Sequence, residues 1–466
     1  MNLKNFIRSD LFQQILSRKW LPYFILAFII FLTYFKSLSF TFSPLDDTQL
    51  IVKKIDWMLH ISNFPKIFLK GIFLDANAHA PDYYRPFLIA SFMLDTLIGK
   101  GNPFVYHLTN ILLHMIATIL FFIVFSRITD NKRIAFIFSL IFAVHPVFAQ
   151  AIAWIPGRND TLLAVFCLGS VICYFNYFST QKMIWIFLHI IFYIFSFFSK
   201  ESAIVLPVLL FLWTFINFKK TRNKELILFS LLWGIIILGS LYFESKIVYS
   251  QNFLGKLNFY NLITNSFKPF VIYFGKIFIP VFQSVIPYVP DTPYIPGLII
   301  FIFFIFILIK YKFYNNGLAL IGISWFVFFL VLPLLILTML SNSVEHYEHR
   351  LYLPVMGIMI LLSQIKIKIP HQTFIVLIIL TLFFIKTINR LNVYQNSITF
   401  SQAAVAESPT SSHSHSMLGY EYYYSGNFKE AVKELDRARE LDSLGNEFKA
   451  NTFVNRSKTI HPYKVK

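Results

Sequence analysis

A succession of membrane-length apolar runs, separated by short basic clusters, limits this chain more than any other feature of its sequence. Of its 466 residues, 56% are hydrophobic and 14% charged, and the mean hydropathy is +0.62. A soluble domain this oily would lack the polar surface that water requires, so the chain reads as a polytopic, all-α membrane protein. A helix needs about 20 residues to cross the hydrocarbon, with about 17 to 25 usual. About eleven runs approach that length once the short ones borrow flanking residues: 20–40, 104–125, 134–149, 161–178, 184–198, 203–218, 226–243, 296–309, 317–339, 351–362 and 372–388. The stretch 262–282 is interrupted by Lys268, Pro269, Lys276 and Pro280 and reads as re-entrant or interfacial.

Charge placement orients these spans. The formal net charge is +18, but the basic residues fall in short loops, where they act as topology signals rather than as a nucleic-acid surface. Lys4, Arg8, Arg18 and Lys19 precede the first run with no small-residue cleavage site after it, which reads as a retained helix with the N-terminus inside. Arg127, Lys132 and Arg133, then Lys182, then Lys219, Lys220, Arg222 and Lys224, then Lys310 and Lys312, then Lys366 and Lys368 fall in alternate loops on that inner side. The mixed-charge segments all fall on the other side: Asp46-Asp47, 158–160, Lys200-Glu201 and 345–350. An odd span count puts the C-terminal tail there too. A bacterial inner membrane with these segments facing the periplasm is the expected setting. Cys167 and Cys173 lie six residues apart on different faces of one apolar run, which indicates neither a disulfide nor a thiolate metal site.

The first outer loop, 41–103, is the most informative stretch. Asp46 and Asp47 follow the first span directly, and adjacent carboxylates there must face a watery or protein-lined cavity rather than lipid. Residues 51–59 and 64–73 carry apolar side chains at three- and four-residue spacing between Lys53, Lys54, Lys66 and Lys70, the pattern of short interfacial helices. Residues 85–97 are short and contain Asp95, so they read as a helix at the outer surface, ended by Gly99, Gly101 and Pro103.

Four outer loops meeting at one end of a bundle could form a transferase site. Such a site needs a carboxylate to take a proton from an acceptor hydroxyl and cations to hold a departing phosphate. Asp46 and Asp47 are candidate bases, and Arg85, Arg158, Lys200 and Arg350 are candidate phosphate ligands. Asp160, Glu201 and Glu348 adjoin those cations and join them as candidate substrate-binding residues. His346 and His349, near Glu345 and Glu348, are weak candidates for a divalent ion. Each has a structural alternative. The Asp pair could cap a helix, Arg85 could anchor at the interface, and Arg158 with Asp160 could form an ion pair at a helix start. Lys200-Glu201 and Glu348 with Arg350 are open in the same way. His107, Asn110 and His114 share one face of the second span and read as a polar stripe binding helices together; His145 before Pro146 reads as a cap or a hydrogen-bonded core residue.

The order Asp46-Asp47, Tyr84-Arg85-Pro86, 106–110 with Leu113-His114, His145-Pro146, 157–160, 199–201 and 351–354 resembles the transmembrane and tetratricopeptide-repeat O-mannosyltransferases. Those are multispanning glycosyltransferases of the GT-C class. The resemblance implies a GT-C-like bundle, a polyprenyl- or dolichyl-phosphate sugar as donor, an outward-facing acceptor hydroxyl, and a base at Asp46 with Asp47 as neighbour or substitute. Mannose and a protein Ser or Thr are the family-led substrates. A divalent metal is used by some relatives in the wider class and not by others. One departure is Glu348-His349-Arg350, where the family often has Glu-Arg shortly before Leu-Tyr-Leu-Pro.

The expected organisation is a membrane domain over 1–390, a linker over 391–412 and a repeat tail over 413–466. In the tail, Leu418, Gly419, Tyr422, Gly426, Phe428, Ala431, Leu435 and Ala438 match the large and small positions of one tetratricopeptide repeat. A single repeat cannot bury both faces, so it must lean on the outer loops, on degenerate neighbouring helices or on a partner protein. The alternatives to protein glycosylation are a same-fold transferase acting on a lipid or envelope polysaccharide, and a non-enzymatic scaffold or transporter. No convincing paired repeat of broken helices, expected of a transporter, is evident.

Overall fold

The computed structural model describes residues 11–73, 83–218, 223–247, 259–313, 316–340, 346–365 and 372–443. Lys4, Arg8, Lys219, Lys220, Arg222, Glu345, Lys366 and Lys368 lie outside the described residues, as does the tail beyond Ser443. All regular structure among the described residues is helical. Inside hydrocarbon a chain must satisfy its own backbone hydrogen bonds, and apolar runs do so as helices.

Among the described residues seven helical stretches are long and apolar enough to cross a membrane: Leu21–Ser39, Pro103–Thr129, Ile155–Thr180, Glu201–Phe218, Asn223–Ile247, Gly317–Leu335 and Thr373–Tyr394. Lys132–Val144 and Pro146–Ala153 form an eighth if their 50° bend lies within one span. The bend falls at His145-Pro146, where His145 Nδ1 accepts from Val147 N and Nε2 donates to the Ile277 carbonyl. That histidine is a cap. Two more of the expected runs are the shorter apolar helices Met183–Ser199 and Ile295–Lys310.

The run at 351–362 differs from expectation. Its helix, Pro354–Leu362, has nine residues, all but the last buried. At about 1.5 Å per residue it covers less than half the hydrocarbon thickness. It is apolar because it fills the protein core, not because it faces lipid. The stretch left as re-entrant or interfacial is one helix, Phe259–Phe278, which runs through Pro269 and packs on Ile295–Lys310 and Gly317–Leu340.

Helix Arg158–Thr180 is the axis of the bundle, with 83% of its most apolar window buried, against 17% for the peripheral Asn223–Ile247. Around its middle, His189 sits between Ser170 (Nδ1 to Oγ, 2.8 Å) and Trp233, whose indole donates to Nε2 at 2.9 Å. The polar stripe of the second span also binds helices. His114 Nδ1 meets Tyr352 Oη at 2.6 Å and Nε2 the Ala143 carbonyl at 3.2 Å, and Asn110 donates to the Ile152 carbonyl at 3.0 Å.

The ends of the first and last spans meet. Thr41 N donates to the Gln395 carbonyl at 3.1 Å, and the Lys36 ammonium donates to Asn392. The tail that follows, with helices Ser397–Glu407, Ser412–Tyr424 and Phe428–Ser443, therefore emerges on the same side as Asp46 and Asp47. Helix Pro86–Gly99, expected at the surface because it contains Asp95, is instead half inside: Asp95 is 2% exposed, since it has a cation to pair with.

The short core helix is fixed by a close approach of two glycines. A Cβ on Gly357 would lie 2.5 Å from the Gly322 carbonyl oxygen and 2.6 Å from Phe326 N, both backbone atoms that cannot rotate away. Small residues allow this contact between helices. Gly357→Ala is expected to cost about 1–3 kcal/mol through overpacking, read as a lower thermal midpoint in detergent. An unchanged midpoint would mean that the two helices separate freely.

Candidate active site

One end of the bundle gathers charged groups that are far apart in sequence. Asp46 and Asp47 open the short helix Asp46–Leu50. Asp46 is half-buried. Asp47 is 1% exposed, and its Oδ2 accepts from Ser43 N at 2.7 Å. Asp47 Oδ1 and Trp154 Nε1 are both buried without a hydrogen-bond partner, and the nearby indole N–H favours the ionised carboxylate. Burial dominates nevertheless and, with the neighbouring Asp46 charge, raises the Asp47 pKa to about 7.

Arg85 precedes Pro86 at the start of Pro86–Gly99, and proline's fixed φ suits that first helical position. Its Nε and Nη2 donate to the two oxygens of Glu201 at 3.0 and 2.8 Å, and its guanidinium lies 4.3 Å from the centre of the Tyr83 ring. The charges of Arg85, Glu201, Arg350 and Asp46 all act on the Tyr83 phenol, which links the first loop to the cationic cluster. Lys200 Nζ bridges both oxygens of Asp160 at 2.7 and 2.8 Å. Burial and the nearby Arg85 lower the Lys200 pKa, against the opposing pull of Asp160. His349 Nε2 is 3.9 Å from Asp160 Oδ2, and its Nδ1 is 3.3 Å from Gln150 Oε1. Burial, then the charges of Lys200, Arg350 and Arg85, depress its pKa well below the usual histidine value, so the ring is neutral. Arg350, half-buried, lies over the Tyr347 ring at 5.3 Å.

Arg85, Asp160, Lys200, Glu201, His349 and Arg350 therefore act on one another as one cluster, and Asp46 is tied to it through the Tyr83 phenol, on which its charge acts together with those of Arg85 and Arg350. Arg158 is differently engaged. It is 0% exposed, its Nη2 is 2.5 Å from Asp95 Oδ2, and its other bonds go to Asn110, Ser91 and the Tyr106 carbonyl. Its donors are committed to joining three helices. Glu348 faces away from the cluster: Oε1 accepts from Lys276 at 2.9 Å and from Ser284 N at 3.0 Å, and Oε2 accepts from Gln283 at 3.3 Å. His346 meets Thr292 at 3.1 Å, so the two histidines point to different partners and do not converge on an ion. Among the described residues no group of three or more His, Cys, Asp or Glu is arranged to hold a metal.

Sequence reasoning missed Trp154, Gln150 and the ion-pair roles of Asp95 and Lys276. Trp154 and Gln150 gave no signal. Asp95 and Lys276 did, because a charge inside an apolar helix requires a partner.

An all-α, polytopic membrane protein with a buried charge cluster at one end of its bundle is the class these features define. In sequence the chain is similar to protein O-mannosyl-transferases of the TMTC group. It is 33% identical to mouse TMTC1 over 141 residues, 28% of this chain and 14% of that protein. It is 34% identical to human TMTC2 over 138 residues, 29% of this chain and 16% of the relative. It is 27% identical to Xenopus laevis tmtc2 over 220 residues, 42% of this chain and 26% of the relative. The matched regions thus span about a quarter or less of these relatives' lengths. No family model matches the chain. No solved structure matches it.

Two predictions follow from the buried charges. Because the folded-state pKa of Asp47 lies above its unfolded value, the folded state favours the proton, and stability falls as pH rises through the window from about 4 to about 7. Asp47→Asn removes that penalty and should stabilise the protein at pH 8 by up to about 4 kcal/mol, while flattening the pH dependence of thermal unfolding. Lys200→Met does the opposite. It strands the Asp160 carboxylate and should cost about 3–5 kcal/mol, with Lys200→Met/Asp160→Leu recovering much of the loss.

Proposed function

We propose that this chain is a membrane glycosyltransferase that moves a sugar from a polyprenyl-phosphate carrier to an acceptor hydroxyl on the outer face. A protein Ser or Thr is the acceptor and mannose the sugar that the named relatives suggest. The observation that carries this reading is one half-buried carboxylate, Asp46, sharing a cluster with Arg85 and Arg350 through Tyr83. Opposite charges in those positions suit a reaction in which a proton leaves one oxygen while negative charge develops on another.

In the proposed step Asp46 takes the acceptor proton as the acceptor oxygen attacks the anomeric carbon. The bond from that carbon to the phosphate oxygen breaks, and the electron pair departs with the lipid phosphate. Arg85 and Arg350 stabilise the leaving charge, since guanidinium groups match phosphate oxygens in pairs. Glu201 engages the Nε and Nη2 edge of Arg85 and holds its plane in position. Lys200 with Asp160 adds a local dipole behind them. Arg158 acts as a scaffold that fixes the helices, and Asp47, with its pKa near 7, limits repulsion beside Asp46 by carrying a proton part of the time.

Purified protein, radiolabelled polyprenyl-phosphate sugars and envelope acceptors test the proposal. Asp46→Asn should reduce turnover at least about 100-fold with donor binding retained. Arg85→Lys with Arg350→Lys should weaken donor binding and lower turnover together, because Lys cannot supply the paired donors. Full turnover in Asp46→Asn would remove the assigned base. Tight donor binding in the double variant would remove the phosphate ligands.

A further inference from the structure

The tail is joined to the membrane domain by hydrogen bonds that lead without a break to the candidate site. Glu407, the last residue of helix Ser397–Glu407, pairs with Arg390 and accepts from Val285 N at 2.9 Å through Oε2. The Val285 carbonyl accepts from Gln150 Nε2 at 2.9 Å. The other end of that amide, Gln150 Oε1, accepts from His349 N at 3.2 Å and lies 3.3 Å from His349 Nδ1. A second route runs beside the first. The Ser408 hydroxyl donates to the Ile286 carbonyl at 2.7 Å, which leaves its oxygen to accept from Ser284 Oγ at 3.2 Å. Ser284 N in turn donates to Glu348 at 3.0 Å. Both routes end on adjacent residues, Glu348 and His349, directly before Arg350. Asp291 adds a clasp, accepting from Thr410 N at 2.8 Å and Thr410 Oγ1 at 2.7 Å.

All the side chains on these routes except Glu407, Thr410 and Asp291 are buried; Glu407 is 22% exposed and faces a cation that is 6% exposed. Buried amides and carboxylates must keep their partners, so displacing one partner transmits the displacement to the next. Loop 283–286 has no helix of its own to fix it, so it takes its position from Glu407 and Ser408 on one side and from Gln150 and Glu348 on the other.

We infer that Glu407 and Ser408, in the segment joining the last span to the repeat tail, are positioning residues of the transferase site: they set segment 348–350, and with it Arg350, through loop 283–286. This rests on the proposed transferase reading for its catalytic consequence, though not for its structural one. The tail then becomes part of the enzyme's working shell, and anything bound to it acts on turnover through this loop.

Glu407→Gln and Ser408→Ala test the inference by two readouts on full-length protein. The first, hydrogen exchange of the peptide containing His349, needs no activity. The His349 amide should exchange at least about tenfold faster in Glu407→Gln and in Ser408→Ala than in wild type, beyond any acceleration at the core peptide containing His189, which reports the loss of global stability. The second is a split of kinetic constants with radiolabelled polyprenyl-phosphate sugar. Turnover should fall about 10–100-fold with a smaller rise in KM for the donor, since misplacing Arg350 by about 1 Å weakens its hold on the phosphate in the ground state less than in the transition state. Glu407→Asp should recover part of the loss, and Arg437→Ala, on the exposed face of the last tail helix, should leave both readouts unchanged. Unchanged exchange at His349 overturns the inference. Faster exchange with undiminished turnover also overturns it, leaving the tail joint a structural contact only. If wild-type protein has no transferase activity, the transferase reading fails, and the exchange measurement alone decides the coupling.

Discussion

Charge burial at the end of an apolar bundle is the constraint on which the rest of this structure depends. Lys200 with Asp160, Arg158 with Asp95, and Lys276 with Glu348 are each less than a tenth exposed on both sides. An ion in such surroundings costs several kcal/mol unless it is paired and hydrogen-bonded, so each pair dictates where its helices must stand. Arg158 joins the helices that carry Asp95, Asn110 and Arg158 itself; Lys276 fixes helix Phe259–Phe278 against the loop that carries Glu348. Pairing of this kind adds little net stability, but it permits few alternative arrangements. A shift of one helix by a turn would strand a charge.

The same constraint separates groups that hold from groups that could react. Arg158, Asp95, Lys276 and Glu348 have their bonding capacity directed into the protein. Asp46 and Arg350 are only half-buried, and Arg85 presents two of its nitrogens to Glu201 while lying over Tyr83. A phosphate entering among Arg85, Arg350 and Lys200 would find Arg85 and Lys200 already oriented by carboxylates and Arg350 lying over Tyr347, so little reorganisation would remain at the moment of reaction. The transferase reading draws on that preorganisation. The likeness to TMTC proteins supplies the chemical context, over the portion of those longer relatives that aligns.

The joint between the last span and the tail extends the same logic. The helices Ser412–Tyr424 and Phe428–Ser443 follow a segment that Glu407, Ser408 and Thr410 fasten to residues 284–291, next to Glu348. Phe400, Ala404 and Met417 add apolar contact with the main core, but the polar contacts are the ones that demand specific geometry. That makes the joint a means of transmitting position.

Hydropathy and charge order alone determined that the chain is a helical membrane protein, that its mixed-charge loops gather at one end, and that Asp46, Arg85, Lys200 and Arg350 deserve scrutiny; hydrocarbon admits only helices or closed barrels, long continuous apolar runs fit the helix, and stray charges are costly there. The run at 351–362 shows the limit of that reading, because a buried core helix and a lipid-facing one are equally apolar. Which charge partners which was decided only in three dimensions. Arg158 and Arg350 look alike in a linear chain, yet one is locked to Asp95 from a helix more than sixty residues away, and the other stands at the mouth of the cluster. Gln150, Trp154 and Glu407 carried no sequence signal, since a side chain that positions another is recognisable only by what it touches, and those contacts span from 17 to 199 residues of chain.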